Sequence, residues 1–206
     1  MANTTIAVTP GSGASVAVYN DATPQSFQRV LAGPEGSQKA TYFAAYKAQS
    51  IGTGATTNII TFAGSATKTI KITRLIVGAT ASTAASYFDV LVNRQSTADT
   101  GGTAATTATI VKADISDGAA TAVAPLFYTA GPTAGTVTGL CAAYKLFAPI
   151  TGTPAPVTSL EIVGSPNRAA KPFILSGLTD IIAITVNGVT PANATSWDVT
   201  VEWTEE

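Results

Sequence analysis

Few residues in this 206-residue sequence are of the types that perform acid-base, nucleophilic or metal chemistry. The chain has no His and one Cys, Cys141. Without His there is no Ser-His-Asp triad and no histidine-ligated metal, and Cys141 lacks the usual partner for an activated thiolate. A single Cys also excludes an intrachain disulfide and a thiolate zinc cluster. We therefore expect Cys141 to be a small buried hydrophobic residue and the protein not to be an enzyme.

The carboxylates and glycine-rich turns give no stronger signal of chemistry. Asp114 and Asp117 lie in a turn that ends at Gly118, but Ca²⁺ takes six or more oxygen ligands and no loop pattern here supplies them. Residues 33–39 contain glycines and a lysine without the spacing of a phosphate-binding loop. We predict no catalytic residue, cofactor or metal. We expect solvated side chains for Asp114, Asp117, Glu202, Glu205 and Glu206.

The remaining charges indicate local pairing rather than a binding groove. Asp89 and Asp198 occupy the polar faces of alternating segments, where pairing with a cross-strand Arg or Lys is expected. The densest basic group is Lys68, Lys71 and Arg74, and a regular strand would place Lys68 and Arg74 on the face opposite Lys71. With 11 basic and 12 acidic residues, the net charge of −1 offers no attraction to phosphates. We predict no nucleic-acid partner.

Composition favours a protein that packs against other proteins. Only 11% of residues are charged and 46% are hydrophobic, while 37 Ala and 34 Thr make up about a third of the chain. No run approaches 18 apolar residues, and the first residues lack the basic and apolar parts of a signal peptide. We therefore expect no membrane partner and synthesis in the cytoplasm. So neutral a surface suits a subunit of an assembly.

Short alternating segments between turns predict the elements that would position any site. In the clearest of them, Trp197, Val199, Val201 and Trp203 alternate with polar residues, which is typical of a half-buried antiparallel strand. No segment has a convincing helical period, so we predict an all-β chain, a β-sandwich or jelly roll of about 8–10 antiparallel strands. The candidate strands are 42–51, 57–62, 69–77, 87–94, 107–112, 123–129, 140–147, 158–163, 173–175, 181–187 and 197–203.

Domain organisation divides the chain near residue 40. Residues 1–39 are rich in Pro and Gly and predict an extended N-terminal arm with a short strand near Phe27–Leu31, whereas residues 40–206 predict the sandwich. Within the sandwich, Ser96–Thr109 predicts a surface loop. Asn187-Gly188 predicts a short hairpin, or a longer loop because Pro191 follows. The arm residues expected to contact a partner are Phe27, Arg29, Val30 and Leu31.

Several segments resemble small virion structural proteins of tailed bacteriophages. They are Gln28-Arg29-Val30, the stretches 75–81 and 87–94, the stretch 172–178, Ile182–Gly188 and the terminal Val201–Glu206. The resemblance implies a jelly-roll-like capsid cement or decoration protein without catalytic residues. It also implies a homotrimer that binds the major capsid protein and other copies of itself, located in the virion and assembled in the host cytoplasm. The arm would lie across an adjacent subunit or add a strand to it.

Two other functions fit the same sequence. One is a subunit attached to the phage tail or fibre, which differs from a shell protein in its copy number per particle. The other is a β-sandwich that binds host glycans, although we expect most of its aromatic candidates to be packing residues. Those candidates are Tyr19, Tyr42, Tyr46, Tyr87, Tyr128 and Tyr144.

Overall fold

A computed structural model describes residues 39–51, 57–81, 84–152, 159–163, 173–187 and 195–206. The predicted arm, with Phe27, Arg29, Val30 and Leu31, lies outside the described residues apart from Lys39. The described residues form twelve strands and no helix, which confirms the all-β prediction. The strands are β1 Thr41–Ile51, β2 Thr57–Ala63, β3 Thr69–Ala81, β4 Ser86–Gln95, β5 Thr103–Ala104, β6 Val111–Lys112, β7 Leu126–Ala130, β8 Val137–Ala148, β9 Ser159–Val163, β10 Phe173–Ser176, β11 Ile181–Asn187 and β12 Thr195–Glu205.

The strands form two antiparallel sheets in jelly-roll order. The first sheet runs β10-β3-β12-β1-β6, with β9 also paired to β3, and the second runs β5-β7-β2-β11-β4-β8. The main pairs are β1 with β12, β2 with β11, β3 with β9 and β10, and β4 with β8. These pairs trace one long hairpin ribbon rolled into a sandwich, as in a jelly roll. The three remaining strands, β5, β6 and β7, come from the connection between β4 and β8 and extend two sheet edges.

The core lies between the two sheets and is rich in aromatic contacts. Trp197 and Trp203 of β12 are fully buried. Trp203 contacts Phe62 of the opposite sheet with ring centroids 4.9 Å apart, and Trp197 contacts Phe88 at 5.5 Å. A buried aromatic removes 150–250 Å² from water, about 4–6 kcal/mol of gross transfer free energy each. The strict alternation predicted for β12 therefore identifies the centre of the core.

A bulge in β3 changes the predicted placement of the basic side chains. Ile70 and Ile72 face the core, as predicted, but the pairing with β12 shifts between residues 72 and 74. The inward positions resume at Leu75 and continue at every second residue. Arg74 therefore lies on the outer face with Lys71, so the prediction that these two occupy opposite faces is wrong.

Two of the predicted segments differ in detail from the structure. Of the candidate strand at 107–112, only Val111–Lys112 is a strand, paired with the edge of β1. A short hairpin at Asn187-Gly188 is wrong, because β11 belongs to the second sheet and β12 to the first. The alternative of a longer loop falls on residues 188–194, which lie outside the described residues. The predicted surface loop at Ser96–Thr109 is confirmed as a largely exposed connection that contains only the two-residue β5.

Candidate functional site

The most buried carboxylate among the described residues holds a loop in place. Glu205 is 5% exposed, so the expectation that it is solvated is wrong. Its carboxylate accepts hydrogen bonds of 2.7–3.0 Å from the backbone N–H and hydroxyl of Thr121 and from the N–H of Ala122, and one of 3.3 Å from the indole of Trp203. Burial favours the protonated acid, but these hydrogen bonds outweigh it and hold the pKa of Glu205 below its ordinary value. The sequence does contain a signal for this burial: if the alternation of β12 is continued two residues past Trp203, Glu205 falls on the inward face.

Asp99 holds the connection between β4 and β8 in the same way. Its carboxylate accepts hydrogen bonds from the Asn58 amide at 2.8–2.9 Å, from the Gln95 amide at 3.1 Å and from the backbone N–H of Gly135 at 2.8 Å. Asn58 and Gln95 are both buried on the outer side of the second sheet. Thr185 donates to Asn58 at 2.5 Å, which completes a polar network under the loop. Because Asn58, Gly135 and Thr185 are distant from Asp99 in sequence, no motif reveals the network.

A third carboxylate joins the turn between β10 and β11 to β4. Asp180 receives a two-pronged contact from Arg94, at 2.7 Å from Nε and 2.5 Å from a terminal nitrogen, and the same guanidinium donates to the carbonyl of Ile174. The hydrogen bonds to the Asp180 carboxylate raise the pKa of Arg94, and this effect is larger than the lowering of the pKa by desolvation. The turn uses Gly177 at φ +81°, a conformation that side chains disfavour.

The other acidic residues have local partners. Asp89 pairs with Lys145 directly across the β4–β8 ladder, which confirms the predicted cross-strand pair. Asp198 instead accepts a 2.7 Å hydrogen bond from the backbone of Ala48, which sits at φ +52° in the irregular part of β1, so its expected partner was wrong. Asp114 caps the exposed turn through the N–H and hydroxyl of Ser116, as a turn residue would.

No group of three or more His, Cys, Asp and Glu side chains with metal-ligand placement occurs within the described ranges.

Glu202 is half buried and accepts a 2.7 Å hydrogen bond from Thr73, and Glu206 forms ion pairs with Lys39 and Lys71. Glu202 and Glu206 therefore join the C-terminal segment to β3.

The remaining candidate site is a strand edge. Among the described strands, three of the four sheet edges end in short strands. One edge is β5 and another is β6, with 2 residues each, and the third is shared by β9 and β10, with 5 and 4 residues, which both pair with β3. The fourth is β8, with 12 residues and, among the described strands, a single pairing partner, β4. We call Val137–Ala148 the β8 edge. A long strand edge presents unpaired backbone groups to any chain that approaches.

Apolar side chains are exposed along the first half of this edge. Val137 is 49% exposed and Leu140 is 59% exposed. Cys141 is also exposed, so the expectation that it is buried is wrong. Cys141 is the extra residue where the β4–β8 register shifts between Asn93 and Val92, and such a bulge turns a side chain away from its regular position.

The tyrosines fall into buried and exposed sets. The hydroxyl of Tyr42 donates to the carbonyl of Gly118, and that of Tyr46 donates to the carbonyl of Pro125, so both are satisfied packing residues. Tyr128 is also buried, and Tyr144 is partly buried. Tyr87 is 63% exposed and packs against Phe147 at 5.0 Å. Tyr19 lies outside the described residues.

No family model, curated protein or solved structure matches this chain. The part of the chain that the structure describes has no helix long and apolar enough to span a membrane. Of the exposed large hydrophobic side chains, Val137 and Leu140 lie on the β8 edge and Tyr87 lies on the neighbouring strand β4. The others lie in loops or on β6: Val111, Ile115, Val123 and Leu178.

Proposed function

We propose that this protein is a non-enzymatic structural subunit of a tailed-phage virion, a capsid cement or decoration protein that bridges neighbouring capsid subunits. The observation that carries the proposal is the β8 edge, a 12-residue strand whose pairing among the described strands is with β4 and whose apolar side chains Val137 and Leu140 are exposed. Its partners would be the major capsid protein and further copies of itself, in a homotrimer. Neither nucleic acid nor membrane is required.

The fold supplies what a bridging subunit needs. The Asp99 carboxylate holds the backbone of Gly135, two residues before β8 begins, so the start of the β8 edge is fixed and loses little conformational freedom on binding. Low charge leaves few groups to desolvate at an interface. In a shell with many copies, several modest contacts per subunit act together and give high avidity.

The direct test is binding of the purified protein to capsids that lack it. We expect saturable binding, weakened at least about tenfold by Leu140→Lys, since a charge would have to be buried in the contact. Leu178→Lys is the matched control, because Leu178 is also exposed, at 54%, but lies in the turn after β10. Absence of binding by the wild-type protein would refute the proposal.

A second variant tests the arm. Deletion of residues 1–39 should weaken capsid binding and lower the temperature at which decorated capsids break, since the arm is proposed to lie on an adjacent subunit. Undiminished binding would remove the arm from the mechanism. A tail or fibre location is tested separately, because it predicts a dozen or fewer copies per particle rather than hundreds.

Glycan binding is the second candidate function, and one observation favours it. Exposed Tyr87 packs against partly buried Phe147, and Asp89 pairs with Lys145 two positions further along the same two strands. An aromatic face beside polar groups is the usual platform for a sugar ring. We expect Tyr87→Ala to abolish any signal on a glycan array. A wild-type protein that gives no signal would refute this function.

A further inference from the structure

The stretch from β6 to β7 carries the most exposed large apolar side chain among the described residues. Ile115 is 92% exposed and lies at the tip of the turn formed by residues 114–117. Val111 and Val123, on either side of this turn, are 56% and 63% exposed. A single exposed apolar residue is ordinary, but the structure around Ile115 holds it in one position.

Hydrogen bonds within the turn fix its shape. The Asp114 carboxylate accepts hydrogen bonds from the N–H of Ser116 at 2.9 Å and from its hydroxyl at 2.8 Å. The N–H of Asp117 donates to the carbonyl of Asp114 at 3.1 Å. The amine of Lys112 donates to the carbonyl of Asp117 at 2.6 Å and to that of Ile115 at 3.4 Å. The polar groups of the turn are thus bound to one another, while the apolar side chain at its tip is left in solvent.

Both ends of the loop that contains this turn are held at one corner of the sandwich. We call residues 113–122 the Ile115 loop. The N–H of Ala113 donates to the carbonyl of Thr41 at 2.8 Å, and the N–H of Ala122 donates to the Glu205 carboxylate at 3.0 Å. The residue before Glu205 pairs with Thr41 across the β1–β12 ladder, so the two ends of the loop are attached side by side.

The middle of the Ile115 loop is attached as well, because the hydroxyl of Tyr42 donates to the carbonyl of Gly118 at 3.1 Å. Compact surface loops whose ends meet are frequently functional. A loop that is held at its ends, its middle and its tip loses little conformational freedom when it binds a partner. The Ile115 loop therefore has the structure of a preformed contact.

We propose that Ile115 is an anchor that enters an apolar pocket with a basic rim on a neighbouring protein subunit of the virion. The inference rests on the proposed function and adds a second contact, separate from the β8 edge. In many interfaces a few side chains buried in pockets supply most of the binding energy, and weaker contacts surround them. Val111 and Val123 would belong to the surrounding contacts.

The basic rim follows from the charges beside Ile115. Asp114 and Asp117 lie one and two positions from it. Hydrogen bonds from Ser116 hold the pKa of Asp114 below its ordinary value, so this carboxylate is ionised at neutral pH. The amine of Lys112 is bound to carbonyls of the turn. Basic groups on the partner would complement the two carboxylates, and such complementary charges steer association.

The same features argue against a membrane or a second copy as the partner. One isoleucine buries less apolar surface than a single myristoyl chain, which by itself binds membranes only marginally, and anionic headgroups repel carboxylates. A second copy would have to offer a pocket. The apolar cavity between the two sheets lies among Ile60, Phe62 and Ile184, which are 3% exposed or less, so it is closed to an incoming side chain.

Binding of the purified protein to capsids and to tails that lack it tests the anchor. We expect Ile115→Ser to weaken binding at least about tenfold, because the side chain is buried only in the complex. Ile115→Leu should retain more binding than Ile115→Ser, since it keeps the volume of the anchor. Tyr87→Ser is the matched control, because Tyr87 is also exposed, at 63%, but lies in the other sheet. Thermal unfolding should be unchanged in Ile115→Ser, since the free protein does not bury this side chain.

Asp117→Asn tests the basic rim. It should weaken binding about threefold at low salt, and the difference from wild type should shrink as salt screens the contact. Binding equal to that of wild type at low salt would overturn the assignment of a basic rim.

Three results would overturn the anchor itself. The first is binding of Ile115→Ser to the particles as tight as that of wild type. The second is sedimentation of wild-type protein, but not of Ile115→Ser, with vesicles of phosphatidylcholine or of phosphatidylcholine and phosphatidylserine, which would assign Ile115 to a lipid surface. The third is a smaller mass of Ile115→Ser than of wild type in sedimentation velocity, which would place Ile115 between copies of this chain.

The particle assay also separates this inference from the proposed function. Capsid binding that is equal in wild type and Ile115→Ser would overturn the inference and leave the cement function intact. Binding of wild type to tails instead of capsids, lost in Ile115→Ser, would support the anchor and refute the cement function. Absence of wild-type binding to either particle would refute both.

Discussion

Glu205→Gln is the substitution whose effect can be worked out most fully from the structure. The carboxylate is buried and accepts hydrogen bonds from Thr121, Ala122 and Trp203. A glutamine keeps one acceptor oxygen but turns an NH₂ group toward N–H donors, so about two of the hydrogen bonds are lost. Bonds to a charged acceptor contribute about 1.5–3 kcal/mol each, which predicts a loss of about 3–6 kcal/mol in the free energy of unfolding.

The effect should depend on pH in a defined direction. The pKa of Glu205 is lower in the folded protein than in the unfolded chain, so the folded state favours the ionised form. This stabilisation is fully present above about pH 4.3, the ordinary pKa of Glu, and is lost as the pH falls through the folded pKa. The difference between wild type and Glu205→Gln should therefore be largest at neutral pH and shrink in acid.

Urea unfolding followed by tryptophan fluorescence measures both effects, since Trp197 and Trp203 are fully buried. Far-ultraviolet circular dichroism provides a second probe of the same transition. Glu161→Gln is the matched control, because its side chain is 46% exposed and its carboxylate lies 3.6 Å from Arg74. Exposed ion pairs contribute about 1 kcal/mol or less. A loss at Glu205 no larger than at Glu161, or a loss that does not change between neutral and acidic pH, would refute the reasoning.

Three further substitutions test the other braces. Asp99→Asn should lower the free energy of unfolding by about 2–3 kcal/mol and make residues 96–136 sensitive to limited proteolysis before the protein unfolds globally. Asp114→Asn, in an exposed turn, should cause neither effect. Equal protease sensitivity of the two variants would contradict this prediction. Gly135→Ala should destabilise the protein in thermal unfolding, because an added Cβ would lie 1.9 Å from a backbone oxygen, while Gly118→Ala, with no atom within 4 Å, should be near neutral; similar melting temperatures would be evidence against it. Arg94→Lys should lower the free energy of unfolding, measured in urea, by about 1 kcal/mol, because lysine cannot make the two-pronged contact with Asp180. An unchanged urea midpoint would be evidence that this contact does not stabilise the fold.

The sequence predicts the fold well where side-chain alternation is regular. In β4, Phe88, Val90 and Val92 are buried, as the alternation indicates, and β12 behaves in the same way. Alternation fails at bulges, because an extra residue in one strand reverses which face the following side chains occupy. The position of that extra residue depends on the pairing with the neighbouring strand. The bulge in β3 thus places Arg74 on the face opposite to the predicted one. The expectation for Cys141 came from its residue type, and residue type does not indicate that β8 bulges there.

The buried carboxylates are harder to predict because their partners come from distant parts of the chain. Glu205 looks like part of an exposed acidic terminus, yet Thr121 and Ala122 cover it through three-dimensional contact. Asp99 similarly meets Asn58 and Gly135. Edge status is also a property of the sheet order, so nothing in the β8 sequence by itself marks it as an exposed edge.

The central claim is that this protein is a shell subunit that bridges its neighbours. Imaging of the intact phage particle, with the copy number of this protein determined on the same particles, tests the claim most directly. We predict hundreds of copies on the outer surface of the capsid, each contacting more than one capsid subunit. A dozen or fewer copies at the tail, or the absence of the protein from the particle, would contradict the claim.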